Sequence, residues 1–320
     1  MGNIKEQKGK NFESLLELLE FFKDEKTCIE YYQQKRWGNN PVCPHCNNSK
    51  KIYKFSDGKR FKCAKCRSQF TVRVGTIFED SKVPLKKWFI AAYLIINHKK
   101  GISSHQLGRD IKVTQKTAWF ILHRIRTALD NGGFEITGKE VIEIDETFVG
   151  GKNKNRHKDK KVKNSQGRSY KDKTPILGML ERGGNVKVKK IKNTKRRIIQ
   201  PIIEKTIPLG SNIVTDEWWA YRRLYEKYGH EFVNHAIKQY VNGEAHTNNI
   251  ECFWSLFKRS IIGIYHNVTY KHLEGYADES AFRYNTRKIN GEQRVSLFFK
   301  NTANMGKLSY KNLVENGDNR

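Results

Sequence analysis

Apolar positions recur at three- and four-residue spacings from Asn11 to Tyr32, where Leu15, Leu18, Leu19 and Phe22 precede Cys28, Ile29 and Tyr32. This predicts a helical lead-in over residues 1–36. The rhythm then changes within residues 37–80, where Tyr53–Phe61 and Gln69–Val74 alternate as short strands do. The helical period returns from Leu85 to Leu129, inside a segment spanning 81–135. Trp88, Phe89, Ala92, Tyr93 and Ile96 form one stripe, which Gly101 breaks. Ser103 and Ser104 can cap a short helix through Leu107 to Ile111. Thr114 can cap a longer one through Trp119, Ile121, Leu122, Ile125 and Leu129.

Residues 136–290 read differently again. Val141, Ile142, Ile144 and Phe148 make a run too short and too β-branched for a helix, hence a buried strand. Thr174–Glu181 and Asn185–Lys192 follow as a hairpin about Gly183-Gly184. A helix over Lys195–Lys205 stops before Pro208, and Asn212–Asp216 is a second short apolar strand. A helix over Glu217–Lys227, a strand near Phe232–Ala236, a helix over Glu251–Arg259 and a last helix over Lys271–Tyr284 complete the pattern. The polar tail, residues 291–320, is expected to be peripheral. The whole is an α+β multidomain chain ending in a mixed sheet with helices on its faces.

Four of the six cysteines change the picture of residues 37–80. They form CPHC at Cys43 and Cys46 and CAKC at Cys63 and Cys66, with 16 residues between the pairs. That spacing fits a structural zinc site, each pair on a tight turn aiming two thiolates at one tetrahedral ion. Disulfides, the competing reading, are disfavoured in a reducing compartment. The module is therefore a zinc ribbon carrying Zn2+, while Cys28 and Cys252 fall outside the pattern and read as buried apolar residues.

Charge points to the partner. Lys and Arg number 61 against 33 Asp and Glu, a net +28 over 320 residues, so a polyanion is expected. Ribosomal or heparin-like binding would need the same charge. Short helix, turn, longer helix is the plan of a helix-turn-helix, whose second helix enters the major groove, with Gln115, Lys116 and Thr117 facing bases. A three-helix bundle that merely links domains is the alternative. Gly150–Lys173 carries ten Lys or Arg against two Asp and almost nothing apolar. It is a loop whose Lys152, Lys154 and Lys158 can meet DNA phosphate. No stretch approaches a membrane span, and the lysine-rich N-terminus lacks a signal-peptide apolar core. A cytoplasmic protein without a membrane partner, nucleoid-associated in a bacterium, is expected.

Three acids remain. Asp145 interrupts an apolar strand, which is costly unless the carboxylate faces solvent, is paired or binds a metal. Asp216 ends the second apolar strand. Glu251 opens an amphipathic helix, with 34 residues between it and Asp216. Asp on a strand, Asp at the end of a later strand and Glu on a helix at that distance resembles the DDE transposases and retroviral-type integrases. The strand, hairpin and helix order is that of an RNase H-like core. Two strand carboxylates and a third on a facing helix can hold two Mg2+ or Mn2+ ions roughly 4 Å apart for in-line displacement at phosphorus.

With IDETFVGGK at Ile144–Lys152, TDEWWAY at Thr215–Tyr221 and HTNNIECFWSLFKRSIIGIYH at His246–His266, the chain resembles one group of bacterial insertion-sequence DDE transposases. It is the group with an N-terminal zinc ribbon and a catalytic domain related to the eukaryotic Merlin elements. The resemblance runs from about Asn11 to Arg287. It implies an enzyme that binds the terminal inverted repeats of its element, then cleaves DNA and transfers strands in a metal-dependent reaction on target DNA. It further implies a homodimer or higher oligomer in the synaptic complex. A catalytically inactive or domesticated DNA-binding regulator, and a stand-alone nuclease, stay open beside it. Asn248 competes with Glu251 as third ligand, since members of the group carry either Asn or Glu there; otherwise Asn248 is a helix N-cap or a DNA contact. Lys258, two helical turns after Glu251 on the same face, can hold the phosphate beside the scissile bond.

Overall fold

The computed structural model describes residues 12–129, 133–151, 157–163, 169, 171–234, 237, 245–303 and 305–315. They fall into two compact units, one running to Leu129 and resuming at Arg287, the other Asp130–Thr286.

The first unit opens with α1 (Leu15–Phe21) and α2 (Glu25–Trp37). Ser14 and Glu17 close a capping box on α1, and the Asp24 side chain accepts from the Thr27 amide to start α2. Three short antiparallel strands follow, β1 (Ile52–Lys54), β2 (Arg60–Cys63) and β3 (Gln69–Thr71). Phe61 and Phe70, on the inward face of this sheet, stack at 5.6 Å beneath Trp37. Helix α3 (Leu85–Asn97) is apolar almost all round and is accordingly buried on most of its surface. Helices α4 (Ser104–Asp110) and α5 (Gln115–Ala128) are each capped by a hydroxyl, of Ser103 and Thr114. The turn between them is tight: a Cβ on Gly108 would lie 3.1 Å from the Val113 carbonyl oxygen, so the turn closes best without a side chain there.

The second unit is a five-stranded sheet in the order β6-β5-β4-β7-β8. Its strands are β4 (Ile142–Val149), β5 (Thr174–Glu181), β6 (Val186–Lys190), β7 (Asn212–Asp216) and β8 (Gly229–Val233). β4, β5 and β6 pair antiparallel, whereas β7 runs parallel to both β4 and β8. Helix α6 (Arg196–Thr206) covers one face through Ile199 and Ile203, against Ile142, Ile144, Leu177 and Met179. Helices α7 (Asn248–Ser260) and α8 (Leu273–Asn285) cover the other, where Phe253, Trp254 and Phe257 meet Ile176, Leu180 and Val188. Residues of β4 therefore alternate between two buried faces. Among the described residues no helix is long and apolar enough to cross a membrane.

Several expectations need correction. The C-terminal segment is not peripheral: α9 (Gly291–Thr302) belongs to the first unit, followed by α10 (Tyr310–Glu315). Phe298 and Phe299 are fully buried, the latter 4.0 Å from Phe89 and 5.8 Å from Tyr32, ring to ring. Polar residues along α9 had masked this apolar stripe. Phe299→Ala is expected to destabilise the first unit by about 3–5 kcal/mol. Hydrogen exchange in α2 and α3 would read the loss, and unchanged protection there would contradict a core role for α9.

No helix forms over Glu217–Lys227. Two 3-10 turns, Trp219–Tyr221 and Leu224–Glu226, stand there, separated by Arg222 and Arg223, the latter at φ +74°. The strand expected near Phe232–Ala236 ends at Val233, and residues 235–236 lie outside the described residues. Cys252 is exposed rather than buried, while Cys28 is buried as expected and its thiol is pushed up to about 12 by that burial.

Candidate active site

β4 and β7 run parallel with Ile142 opposite Ile213 and Glu143 opposite Val214, an offset of 71 residues. Continuing that register places Asp145 level with Asp216, on neighbouring strands about 4.8 Å apart. β7 stops at Asp216, whereas β4 continues to Val149, so the pair sits where the parallel strands end. Ligand sites in α/β sheets form at such carboxyl ends. Asp216 is 6% exposed, and its Oδ1 accepts the Trp218 amide at 3.1 Å, a local turn that stops the strand and fixes the carboxylate. The Tyr221 phenol is fully buried and pushed well up, first by that burial and then by the charges of Glu146, Asp216 and Asp145. One hydroxyl is thus within electrostatic reach of three acids.

Asp145 pairs with Gly178 of β5, so its side chain leaves the sheet on the face that Gly178 presents. A Cβ on Gly178 would meet Trp254 Cζ2 at 2.5 Å and Ile250 Cδ1 at 2.9 Å. Helix α7 therefore lies directly on this spot, and only glycine lets it come so close. Glu251, next to Ile250, is exposed, and its Oε1 accepts from the Thr247 hydroxyl at 2.9 Å. Asn248, Glu251 and Lys258 are all exposed on α7. Asn248 is the first helical residue, not the N-cap; that position is held by Thr247, whose side chain makes no capping bond.

The capping bonds come from the sheet instead. Glu143, two residues before Asp145 and fully buried, accepts the backbone amides of Asn249 and Ile250, each at 2.9 Å. Arg182 Nε donates to the same carboxylate at 2.8 Å. At the far end of α7, a π turn over Ile261–Tyr265 delivers the Tyr265 hydroxyl to buried Glu279 at 2.5 Å, where Arg283 also pairs. Sequence reading missed Glu143, Arg182 and Tyr221. The one available signal was an acid on the same strand face as Asp145.

The oxygen-only set of Asp145, Asp216 and Glu251 suits a hard divalent cation. Among the described residues, however, only one group of three or more Cys, His, Asp or Glu has its ligand atoms within 4.8 Å of one another: Cys43, Cys46, Cys63 and Cys66. Both CxxC turns are built alike. The Asn47 amide donates to the Cys43 carbonyl at 2.9 Å and Arg67 to Cys63 at 3.0 Å, with Asn47 and Arg67 at φ +56° and +62°. The Cys66 amide pulls the Cys63 thiol down to about 6, chiefly by hydrogen bonding. Such a cluster could bind zinc.

Of the other expected contacts, Gln115 and Lys116 are exposed at the start of α5, while Thr117 is half-buried and its amide and hydroxyl engage Thr114. Lys158 is exposed on a 3-10 turn, Lys158–Lys160; Lys152 and Lys154 lie outside the described residues.

A model of the ISXO2-like transposase domain matches residues 137–285, and a model of the transposase zinc-ribbon domain matches 23–69. A protein of Halobacterium salinarum, described as an uncharacterized protein in transposable element ISH50, is 30% identical over 250 residues, covering 74% of this chain and 83% of its own length. The chain belongs to the ISXO2-like transposase family. The transposase-domain match falls within the second unit and so contains Asp145, Asp216 and Glu251, while the zinc-ribbon match takes in α2 together with all four ribbon cysteines and ends at Gln69. No solved structure matches this transposase.

Proposed function

We propose that this transposase binds the terminal inverted repeats of its insertion sequence, cleaves the DNA at those ends and joins them to target DNA. The observation that carries the reading is Asp145 and Asp216 level on parallel strands with the Glu251 helix laid over the Asp145 face. The sheet order, antiparallel through β4 and parallel beyond it, supports an RNase H-like catalytic domain. Asp145, Asp216 and Glu251 would hold Mg2+ or Mn2+, which supplies charge stabilisation at phosphorus and activates the attacking oxygen. Trp218 orients Asp216 through its amide, and Thr247 orients Glu251 through its hydroxyl. Lys258 offers a cation to the neighbouring phosphate.

The α4–α5 pair serves as a helix-turn-helix, with Gln115 and Lys116 reading bases and the ribbon cysteines holding structural Zn2+. Synapsis of two element ends calls for a homodimer or larger assembly. The test uses the full chain, since α9 completes the first unit, with Mg2+, labelled element ends and a supercoiled plasmid. Cleavage at the ends followed by joining is expected. Specific binding without cleavage would mark a DNA-binding regulator, and cleavage without joining a nuclease. Gln115→Ala and Lys116→Ala should erode the preference for repeat DNA over random DNA, whereas Lys158→Ala should flatten only the salt dependence of affinity.

A further inference from the structure

We infer that Glu143 is a positioning residue whose buried carboxylate docks the first turn of α7 onto β4 and so sets Glu251 over Asp145. The inference rests on the reading of Asp145, Asp216 and Glu251 as the metal-binding centre.

Four hydrogen bonds reach this side chain, which is 0% exposed. Oε1 accepts from Arg182 Nε at 2.8 Å and from Asn249 Nδ2 at 2.7 Å; Oε2 accepts from the amides of Asn249 and Ile250, each at 2.9 Å. His246 Nδ1 stands 3.3 Å from Oε1, close but off hydrogen-bonding alignment. Every hydrogen-bonding partner is a donor, so a carboxylate satisfies all four where a carboxamide would turn its NH2 toward donors. Burying a charge this completely is unfavourable unless such charge-assisted bonds surround it.

The first amides of a helix have no partner within it, and a capping side chain usually serves them. Here the N-cap Thr247 makes no capping bond, and the service comes from a strand 106 residues away in sequence. Geometry gives this substitution its meaning. Glu143 lies two residues before Asp145 on the same face of β4, and the amide it grips belongs to the residue just before Glu251. The helix dipole adds its own attraction for the carboxylate. Arg182 spans the joint, donating also to the His246 carbonyl at 3.0 Å, and so ties the approach to α7 to the same point. Sliding or rotating α7 would break these bonds together. The spacing between the strand acid and the helix acid is thereby held by a path of a few covalent and hydrogen bonds.

The test compares full-length wild type with Glu143→Gln, Glu143→Asp, Arg182→Lys and Asp145→Asn. Hydrogen exchange reports the α7 first turn, calorimetric titration reports Mn2+ affinity, and cleavage of element ends is measured in Mg2+ and in Mn2+. Glu143→Gln is expected to lose protection at Asn249 and Ile250 and to weaken Mn2+ binding by roughly 10–100-fold. Cleavage should fall about 100-fold in Mg2+, which demands near-ideal octahedral geometry, and less in Mn2+. Glu143→Asp keeps the charge and should recover part of each loss. Arg182→Lys, which leaves the carboxylate in place, should shift the same readouts in the same direction by less, and it serves alone if Glu143→Gln does not fold. Equal loss of rate in both metals with unchanged Mn2+ affinity would mean that Glu143 only stabilises the fold, and would overturn the inference. So would wild-type protection and affinity in a folded Glu143→Gln or Arg182→Lys. If Asp145→Asn binds Mn2+ as wild type does, the metal-centre reading itself fails, a result visible without any Glu143 variant.

Discussion

Asp145→Asn and Asp216→Asn are each expected to abolish end cleavage and strand transfer while leaving DNA binding intact. The two carboxylates are level on adjacent parallel strands, and an amide has the same shape but cannot neutralise a divalent cation. Loss of charge stabilisation on both the entering and the leaving oxygen should lower the rate on the order of 10³-fold or more. Binding survives because the sheet around both positions is held by Ile142, Ile144, Ile213 and their partners, none of which the substitutions touch. Glu251→Gln should fall in the same class and Asn248→Ala should only weaken activity. Both residues are exposed at the start of α7, but Asn248 does not cap the helix, so its replacement leaves the Glu143 bonds in place. Labelled ends and a plasmid target measure both steps. If Glu251→Gln cleaves normally in Mg2+ while Asn248→Ala is dead, Asn248 is the third ligand and Glu251 is not.

The three acids could be found in the sequence because each breaks a local pattern. Asp145 interrupts a β-branched run, Asp216 ends one, and Glu251 heads an amphipathic helix. The cysteine pairs were legible for a similar reason, since the residues that position them, such as Asn47 and Arg67 in left-handed conformation, lie beside them in the chain. What stayed hidden depends on distant partners. Glu143 meets α7 across 106 residues, and Phe299 meets Phe89 although about two thirds of the chain lies between them. The helical periodicity of Glu217–Lys227 misled because Asp216 spends its side chain on the Trp218 amide and Arg223 adopts a positive φ, two local choices that break a helix before it starts. Cys252 misled differently: the apolar stripe of α7 passes through Ile250, Phe253, Trp254 and Phe257, and position 252 falls on the other side.

Stripping zinc is expected to unfold the ribbon while the second unit keeps its sheet. The strands of the ribbon are three or four residues long, and their buried apolar core is little more than Phe61 and Phe70. Burying two such rings contributes about 1.5–3 kcal/mol each. Structural zinc, by contrast, contributes roughly 10–16 kcal/mol of apparent binding energy that is also folding energy. The purified protein should carry one zinc per chain on Cys43, Cys46, Cys63 and Cys66, whose sulfurs already lie within 4.8 Å of one another. The Cys63 thiol is drawn down to about 6, chiefly by the Cys66 amide, so the thiolate is favoured in the folded state. That contribution is greatest above the ordinary thiol value of 9.0 and falls away as pH drops from there through about 6. Chelation should remove hydrogen-exchange protection from β1 to β3 and leave β4 and β5 protected, and Cys63→Ser should mimic it at neutral pH. A metal analysis that finds no zinc, with four freely titratable thiols in a protein whose ribbon is still protected, would overturn this assignment.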